Sequence, residues 1–118
     1  MIRTLVVDDE KLARDRLAGY LRKLDDVDVV GEAKNGIEAL ERITELKPDL
    51  VFLDVQMPGL DGFGVLKSLS EPPQIVFATA YDEYAIKAFE VHAADYLLKP
   101  INRTRLDEAM RRVRERLG

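Results

Sequence analysis

The chain has 118 residues, of which 47% are apolar and 34% are charged, with no cysteine and a formal net charge of −4. This composition is typical of one folded domain, and it excludes an intrinsically disordered chain, a disulfide framework and a thiolate metal site. The acidic balance makes the whole domain a poor nucleic-acid binder, so any contact with DNA would require a local patch or another segment.

The first half of the chain predicts three strands and two helices. Strands are predicted at about residues 2–7, 27–33 and 50–53, and the first and third contain the apolar runs Leu5–Val7 and Leu50–Leu53, typical of buried parallel strands. Apolar residues at helical spacing predict a first helix, and these are Ala13, Leu17, Tyr20, Leu21 and Leu24. A second helix follows Asn35-Gly36 and stops before Pro48, because a helix seldom continues through proline. Its apolar face carries Ile37, Leu40, Ile43 and Leu46.

The second half predicts two more strands, at about residues 74–78 and 95–98, and three more helices. A third helix runs from about residue 61 to 70, with Phe63, Leu66 and Leu69 facing inward. Asp82 is expected to cap a fourth helix, which carries Ala85, Ala88 and Phe89. The fifth helix has the clearest apolar stripe, formed by Leu106, Ala109, Met110, Val113 and Leu117. Strict alternation of strands and helices predicts an α/β fold with helices on both faces of a parallel sheet.

Polar side chains follow four of the apolar runs, at the point where each run ends. They are Asp8 and Asp9, Asp54, Thr79, and Lys99. In an open α/β sheet, ligands bind in the crevice beyond the carboxyl ends of the strands. We therefore expect three acids, a hydroxyl and an ammonium to meet in one pocket. Such a pocket suits a divalent cation beside a phosphoryl group, because Mg2+ prefers oxygen ligands.

Each of these residues also has an ordinary structural explanation. Asp8 and Asp9 resemble acids that cap a helix, and Asp54 resembles a turn acid after a strand. Thr79 resembles a strand residue, and Lys99 a solvated loop lysine. Two acidic clusters at adjacent strand ends are, however, harder to explain as turns alone.

Four motifs together resemble the receiver domain of response regulators in two-component phosphorelays. They are Val-Asp-Asp-Glu at 7–10, Leu-Asp-Val-Gln-Met-Pro-Gly-Leu-Asp-Gly at 53–62, Ala-Thr-Ala at 78–80 and Lys-Pro-Ile at 99–101. The resemblance covers essentially the whole chain. Segments 79–85, 88–90 and 95–100 more narrowly resemble receivers that precede LytTR-type DNA-binding domains.

The resemblance implies a flavodoxin-like fold, with a doubly wound five-stranded parallel sheet in the order 2-1-3-4-5 and five helices. Residues 1–118 would form one receiver domain, and any effector domain would lie beyond Gly118. The resemblance also implies that Asp54 is the phosphoacceptor. Asp9 and Asp54 would bind Mg2+ together with the backbone carbonyl of Gln56, and Asp8 would act through water.

The remaining roles implied by the resemblance concern the switch. Lys99 would pair with the phosphoryl group and Thr79 would donate a hydrogen bond to it. Tyr96 would be the aromatic switch residue, and Pro100 would follow a cis peptide bond. Gln56 and Tyr81, which flank the site, would tune the lifetime of the phosphoryl group by shielding it from water or admitting water.

A receiver domain implies a sensor histidine kinase or a small phosphodonor as the source of phosphate. Phosphorylation would change the surface of the fourth helix, fifth strand and fifth helix and promote a homodimer. That surface would pair opposite charges across a two-fold axis, from Asp82, Glu90, Asp95, Lys87, Arg111 and Arg112. DNA would be bound only through a missing effector domain. Since no apolar run approaches the roughly 20 residues of a membrane helix, we expect a cytoplasmic protein without membrane contact.

Several further functions are weighed against this one. The chain would not be an enzyme beyond assisting its own phosphorylation and slow autodephosphorylation. Aspartyl-phosphate phosphohydrolases of the haloacid-dehalogenase type place a second acid two residues after the nucleophile, where this chain has Gln56. A stand-alone receiver and a phosphorylation-independent interaction module are two more candidate functions. His92 is expected at the surface or as a helix cap, and the arginines of the last helix as a solvated face.

Overall fold

The structure is a computed structural model that describes all residues from Met1 to Gly118. Five strands and five helices alternate along the chain. The strands are β1 (Ile2–Val7), β2 (Val27–Ala33), β3 (Leu50–Leu53), β4 (Gln74–Thr79) and β5 (Asp95–Leu98). The helices are α1 (Lys11–Leu21), α2 (Gly36–Leu46), α3 (Gly62–Lys67), α4 (Ala85–Glu90) and α5 (Arg103–Leu117).

The strands form one sheet in the order β2-β1-β3-β4-β5, and every neighbouring pair is parallel. This confirms the predicted doubly wound, flavodoxin-like α/β fold. The register aligns Val7 with Leu53, and Thr79 with Leu98. The residues that follow these strands therefore lie at the same edge of the sheet. The order reverses between β1 and β3, which is where folds of this class leave a crevice for ligands.

The core consists of two layers, because successive strand residues point to opposite faces of the sheet. Leu5 and Val7 of β1 pack with α2, α3 and α4, whereas Val6 packs with α1 and α5. The fully buried rings of Phe77 and Phe52 lie on these two opposite faces. Burying one such side chain contributes about 1.5–3 kcal/mol. The sheet is therefore held rigidly from both sides, and its carboxyl edge is a fixed platform.

Helices α3 and α4 differ from the sequence-based expectations. Helix α3 is shorter than predicted, and Asp61 caps it by accepting a hydrogen bond from the Gly64 N–H at 2.8 Å. Helix α4 has no side-chain cap, so the expectation for Asp82 is wrong. Phe89, predicted to face inward, is 82% exposed. The reason is that α4 has only six residues, and only Ala88 of these is buried against the sheet.

Some residues of the predicted apolar stripes also lie at the surface. Ile37 and Leu117 are exposed, because both lie in a terminal turn of their helix and outside its buried stripe. His92 is exposed as expected, and it adopts a positive φ of 62° where the chain leaves α4. None of the helices has the length and apolar character needed to span a membrane.

Candidate functional site

Three carboxylates converge at the carboxyl edge of the sheet. Asp8 and Asp9 follow β1, Asp54 follows β3, and one oxygen of each lies within 4.8 Å of the others. Asp8 and Asp54 are buried, whereas Asp9 is exposed. Consecutive residues at a strand end point in different directions, which explains this contrast between Asp8 and Asp9. The cluster therefore consists of two buried carboxylates and one carboxylate that faces solvent.

Lys99 brings a positive charge into the cluster. Its Nζ lies 2.7 Å from Asp8 Oδ2, 3.2 Å from Asp54 Oδ2 and 3.4 Å from Glu10 Oε1. The backbone N–H of Lys99 donates to the Thr79 carbonyl at 2.8 Å, which ties the lysine to the end of β4. One ammonium thus offsets part of the repulsion between carboxylates from two different strands.

The structural explanation of the acids holds only in part, because α1 has no side-chain cap and neither Asp8 nor Asp9 caps it, whereas Asp8 and Asp54 each order the turn after their strand. Asp8 Oδ1 accepts the Glu10 N–H at 2.9 Å, and Asp54 Oδ1 accepts the Gln56 N–H at 3.3 Å. Each buried carboxylate therefore uses one oxygen to order the turn that follows its strand and the other to contact Lys99. Asp9 has neither kind of contact. The turn hydrogen bonds orient the two buried carboxylates toward the ammonium.

Burial and neighbouring charges shift the pKa values of Asp54 and Lys99. Burial raises the pKa of Asp54 from 3.8 to about 6; Lys99 opposes this rise and Asp8 adds to it. Burial acts to lower the pKa of Lys99, but the hydrogen bond to Asp8 and the charge of Asp54 hold it above its ordinary value. The raised pKa of Lys99 keeps its ammonium charged, and the raised pKa of Asp54 makes ionisation of that buried carboxyl costly. A carboxylate that is costly to ionise gains most from an additional cation.

Above the carboxylates lies an open cavity of about 720 Å³. Gln56, Tyr81 and Tyr84 line it together with Asp9, Asp54 and Lys99. Gln56 Nε2 donates a hydrogen bond to the Tyr84 hydroxyl at 2.6 Å, across the space between the β3–α3 and β4–α4 loops. The cavity is large enough to admit a phosphoryl group and its donor.

Thr79 and Tyr96 lie beneath the β4–α4 loop and outside the cavity lining. Thr79 is fully buried, and its Oγ1 accepts the Tyr81 N–H at 3.4 Å. The Tyr96 hydroxyl donates to the Tyr81 carbonyl, and its ring centroid lies 6.3 Å from that of Phe77. The Tyr96 side chain is thus directed inward, toward the β4–α4 loop. The Lys99-Pro100 bond is cis, as the resemblance implies.

Sequence reasoning did not identify the roles of Glu10, Tyr84 and Gly62 in building this site. A Cβ at Gly62 would lie 2.5 Å from the Asp54 carbonyl oxygen, so only glycine lets α3 begin this close to the strand end. The position of Glu10 directly after two aspartates could have indicated that it belongs to the same acidic cluster. No pattern in the sequence pairs Tyr84 with Gln56, because that contact depends on how two loops meet.

The arginines of α5 form a largely solvated face, as expected, and most of them also make contacts within the chain. Arg105 and Arg112 both bind the nearly buried carboxylate of Asp95, Arg114 binds Asp26, and Arg116 donates to two backbone carbonyls after α4. Arg103, Arg111, Arg114 and Arg116 are exposed, and Arg111 pairs with Glu115 on the same helix. Asp95 and Arg112, two charged residues of the expected dimer surface, bind each other within one chain, and the pairing of that surface across a two-fold axis stays a prediction.

Comparisons with known proteins agree with this geometry. Residues 4–111 match the family model of the response regulator receiver domain. The chain is 50% identical over 117 residues to the transcriptional regulatory protein BtsR of Salmonella typhi, covering 98% of this chain and 49% of BtsR. It is 48% identical over 118 residues to the sensory transduction protein LytT of Bacillus subtilis, covering 98% and 49%. The chain thus spans about half the length of the curated relatives it matches.

The fold has close counterparts among solved structures. The response regulatory domain of protein mrkE from Klebsiella pneumoniae superposes with a TM-score of 0.87 at 32% identity, covering 97% of this chain and 96% of that domain. The REC domain of AraT from Geobacillus stearothermophilus gives 0.85 at 35% identity, covering 99% and 96%. With sequence, fold and the acidic edge of the sheet in agreement, the chain belongs to the response regulator receiver domain family.

Proposed function

We propose that Asp54 accepts a phosphoryl group from a sensor histidine kinase or from a small phosphodonor. The observation that carries the proposal is the buried Asp54 carboxylate, which faces an open cavity with the Lys99 ammonium 3.2 Å away. A carboxylate oxygen of Asp54 bonds to phosphorus as the bond to the donor's nitrogen or oxygen breaks, and the donor leaves with the bonding electrons. Phosphoryl transfer depends mainly on positioning and on neutralising charge, which this cavity supplies.

The acidic cluster has the chemistry of a Mg2+ site. Asp9, Asp54 and the Gln56 carbonyl would hold the ion directly and Asp8 through water, in keeping with the oxygen ligands that Mg2+ prefers. When bound, Mg2+ supplies positive charge that draws an anionic donor toward the carboxylates. Asp9 fits a direct ligand because it is the exposed member of the cluster and binds no other side chain. Lys99 offsets the remaining charge of Asp8 and Asp54.

We further propose that phosphorylation alters the β4–α4 loop and α4. Thr79 is buried beneath that loop, so contact between its hydroxyl and a phosphoryl group requires the loop to move. The Tyr96 hydroxyl is bonded to the same loop, at the Tyr81 carbonyl. Loop movement therefore changes the environment of Tyr96 and the surface of α4, β5 and α5. The inward Tyr96 fits a two-state equilibrium that phosphorylation biases.

The output of the whole protein is proposed to be transcriptional. BtsR is named a transcriptional regulatory protein, and the present chain covers about half of it. A LytTR-type effector domain beyond Gly118 would bind DNA, and phosphorylation would promote a homodimer in the cytoplasm. The exposed Ile86 and Phe89 of α4 favour this surface as the dimer contact. Enzyme activity would be limited to self-phosphorylation and slow autodephosphorylation, because Gln56 lacks the acid of a phosphohydrolase.

Phosphate uptake tests the proposal directly. Wild type and Asp54→Asn are incubated with acetyl phosphate and Mg2+, and intact mass is measured. Only the wild type should gain one phosphoryl group, and excess EDTA should abolish the gain. Asp28→Asn is the matched control, since Asp28 is exposed and makes no ion pair. Equal uptake by the Asp54 variant, or full uptake in EDTA, would contradict the assignment.

A further inference from the structure

The β3–α3 and β4–α4 loops are joined above the candidate site by one side-chain hydrogen bond. Gln56 Nε2 donates to the Tyr84 hydroxyl at 2.6 Å, although the two residues are 28 positions apart. Both side chains line the cavity that contains Asp54. We infer that Tyr84 is a positioning residue, which holds the Gln56 side chain across the cavity mouth and so shields a phosphoryl group on Asp54 from water. This inference rests on the proposed function.

Tyr84 is well placed to orient the Gln56 side chain. Its ring centroid lies 6.2 Å from that of the buried Phe63 and 6.4 Å from that of Tyr81, in a tilted and an edge-to-face arrangement. Aromatic pairs at these distances favour defined relative orientations. The ring is therefore held by α3 on one side and by the β4–α4 loop on the other. Its hydroxyl is thereby directed into the cavity, toward the Gln56 amide.

Gln56, in contrast, depends on Tyr84 for its position. Its side chain is exposed, and the bond to Tyr84 is its only side-chain hydrogen bond to the protein. Its backbone is fixed, because the Gln56 N–H donates to Asp54 Oδ1. Without the Tyr84 hydroxyl, the amide would rotate freely in solvent and the mouth would open. Gln56 thus lies close to Asp54 along the chain, but its side chain is oriented by Tyr84 of the β4–α4 loop.

The shielded reaction is hydrolysis of the acyl phosphate. A water oxygen bonds to phosphorus while the bond from phosphorus to the Asp54 carboxylate oxygen breaks. The products are the free carboxylate and inorganic phosphate, and the proton released by water is taken up by the phosphate or by solvent. Holding Gln56 across the mouth limits the approach of that water. Since the hydrogen bond between Gln56 and Tyr84 joins the segment that begins α4 to the cavity, it also makes the lifetime sensitive to the position of α4.

The test is the hydrolysis rate of protein loaded with acetyl phosphate and Mg2+, followed by intact mass after donor removal. Tyr84→Phe, Gln56→Ala and the double variant are compared with wild type, and Tyr20→Phe on α1 is the matched control. We expect Tyr84→Phe to lose phosphate about 2- to 10-fold faster, the factor set by one neutral hydrogen bond. Gln56→Ala should accelerate the loss at least as much, and the double variant should be no faster than Gln56→Ala.

A second readout follows the hydrogen bond itself. The side-chain amide resonance of Gln56 in the unphosphorylated protein should shift in Tyr84→Phe and stay unchanged in Tyr20→Phe. The inference would be overturned if the resonance did not shift, or if hydrolysis in Tyr84→Phe were unchanged or slower. It would also be overturned if Tyr84→Phe had the same effect on hydrolysis when Gln56 is already alanine. A wild type that takes up no phosphate would instead overturn the proposed function, and the resonance would still report on the hydrogen bond.

Discussion

Replacing Asp54 by asparagine is expected to stabilise the metal-free protein at neutral and alkaline pH. Burial raises the pKa of this carboxyl from 3.8 to about 6, so its ionisation costs more in the folded than in the unfolded state. Above pH 6 Asp54 is ionised in both the folded and the unfolded protein, and the cost of burying its charge falls on the folded state. Asparagine keeps the shape without the charge. The difference between the two pKa values corresponds to a gain of at most about 3 kcal/mol in the free energy of unfolding.

The sign of the pH dependence follows from the same values. As the pH falls below 6, the folded wild type binds a proton that the unfolded chain does not yet bind. Wild-type stability therefore rises toward acid pH, and the advantage of the variant shrinks until the carboxyl is protonated in both states. Lys99 keeps Asp8 as a partner at 2.7 Å in the variant, so it is not left as an unpaired buried charge.

Urea unfolding in excess EDTA, at pH values on both sides of 6, measures this effect. Asp28→Asn serves as the control, because this carboxylate is exposed and free of ion pairs. A stabilisation of equal size at every pH, or an Asp54→Asn protein less stable than wild type at alkaline pH, would refute the argument that burial and crowding strain the ionised site.

Three further predictions concern the metal, the lysine and self-association. Mg2+ should raise the melting temperature of the wild type by mass action. The Asp9→Asn variant should melt at a higher temperature than the wild type without metal but respond less to Mg2+. A metal-free variant that melts below the metal-free wild type would contradict the repulsion argument. Lys99→Ala should retain some phosphate on Asp54 but lose the NMR shifts of α4 on adding beryllofluoride, a phosphoryl mimic, and full wild-type shifts would show that Lys99 is dispensable. In sedimentation velocity with beryllofluoride and Mg2+, the domain should dimerise weakly and less at high salt, since exposed charge pairs contribute only about 0–1 kcal/mol each; a monomer at both salt concentrations would exclude this contact.

The three central strands β1, β3 and β4 were predictable to within one residue because their buried residues form continuous apolar runs. β4, for example, was expected at 74–78 and extends to Thr79. The position of the carboxylates followed from strand order alone. Helix α4 was harder, because its six residues are too few to show a helical period, and Phe89 therefore looked like a core residue.

Apart from the meeting of Lys99 with the acids, contacts between side chains of distant elements could not be predicted from the sequence. Asp95 and Arg112 were expected on a charged dimer surface, and no sequence pattern shows that the packing of α5 against β5 brings them together within one chain. The inward position of Tyr96 depends on a backbone carbonyl of the β4–α4 loop, which no sequence pattern marks. Sequence periodicity reports which residues are buried, whereas these contacts depend on the final distance between elements.

The shallow attachment of α4 has a consequence for how such domains diversify. Only Ala88 of this helix is buried, so Ile86, Lys87 and Phe89 contribute little to the stability of the core. Substitutions at exposed positions usually change stability by less than about 0.5 kcal/mol. New recognition surfaces can therefore evolve on α4 without loss of the fold and without altering Asp54 or Lys99. The exposed residues of α4 are thus structurally separate from the cluster around Asp54 and Lys99.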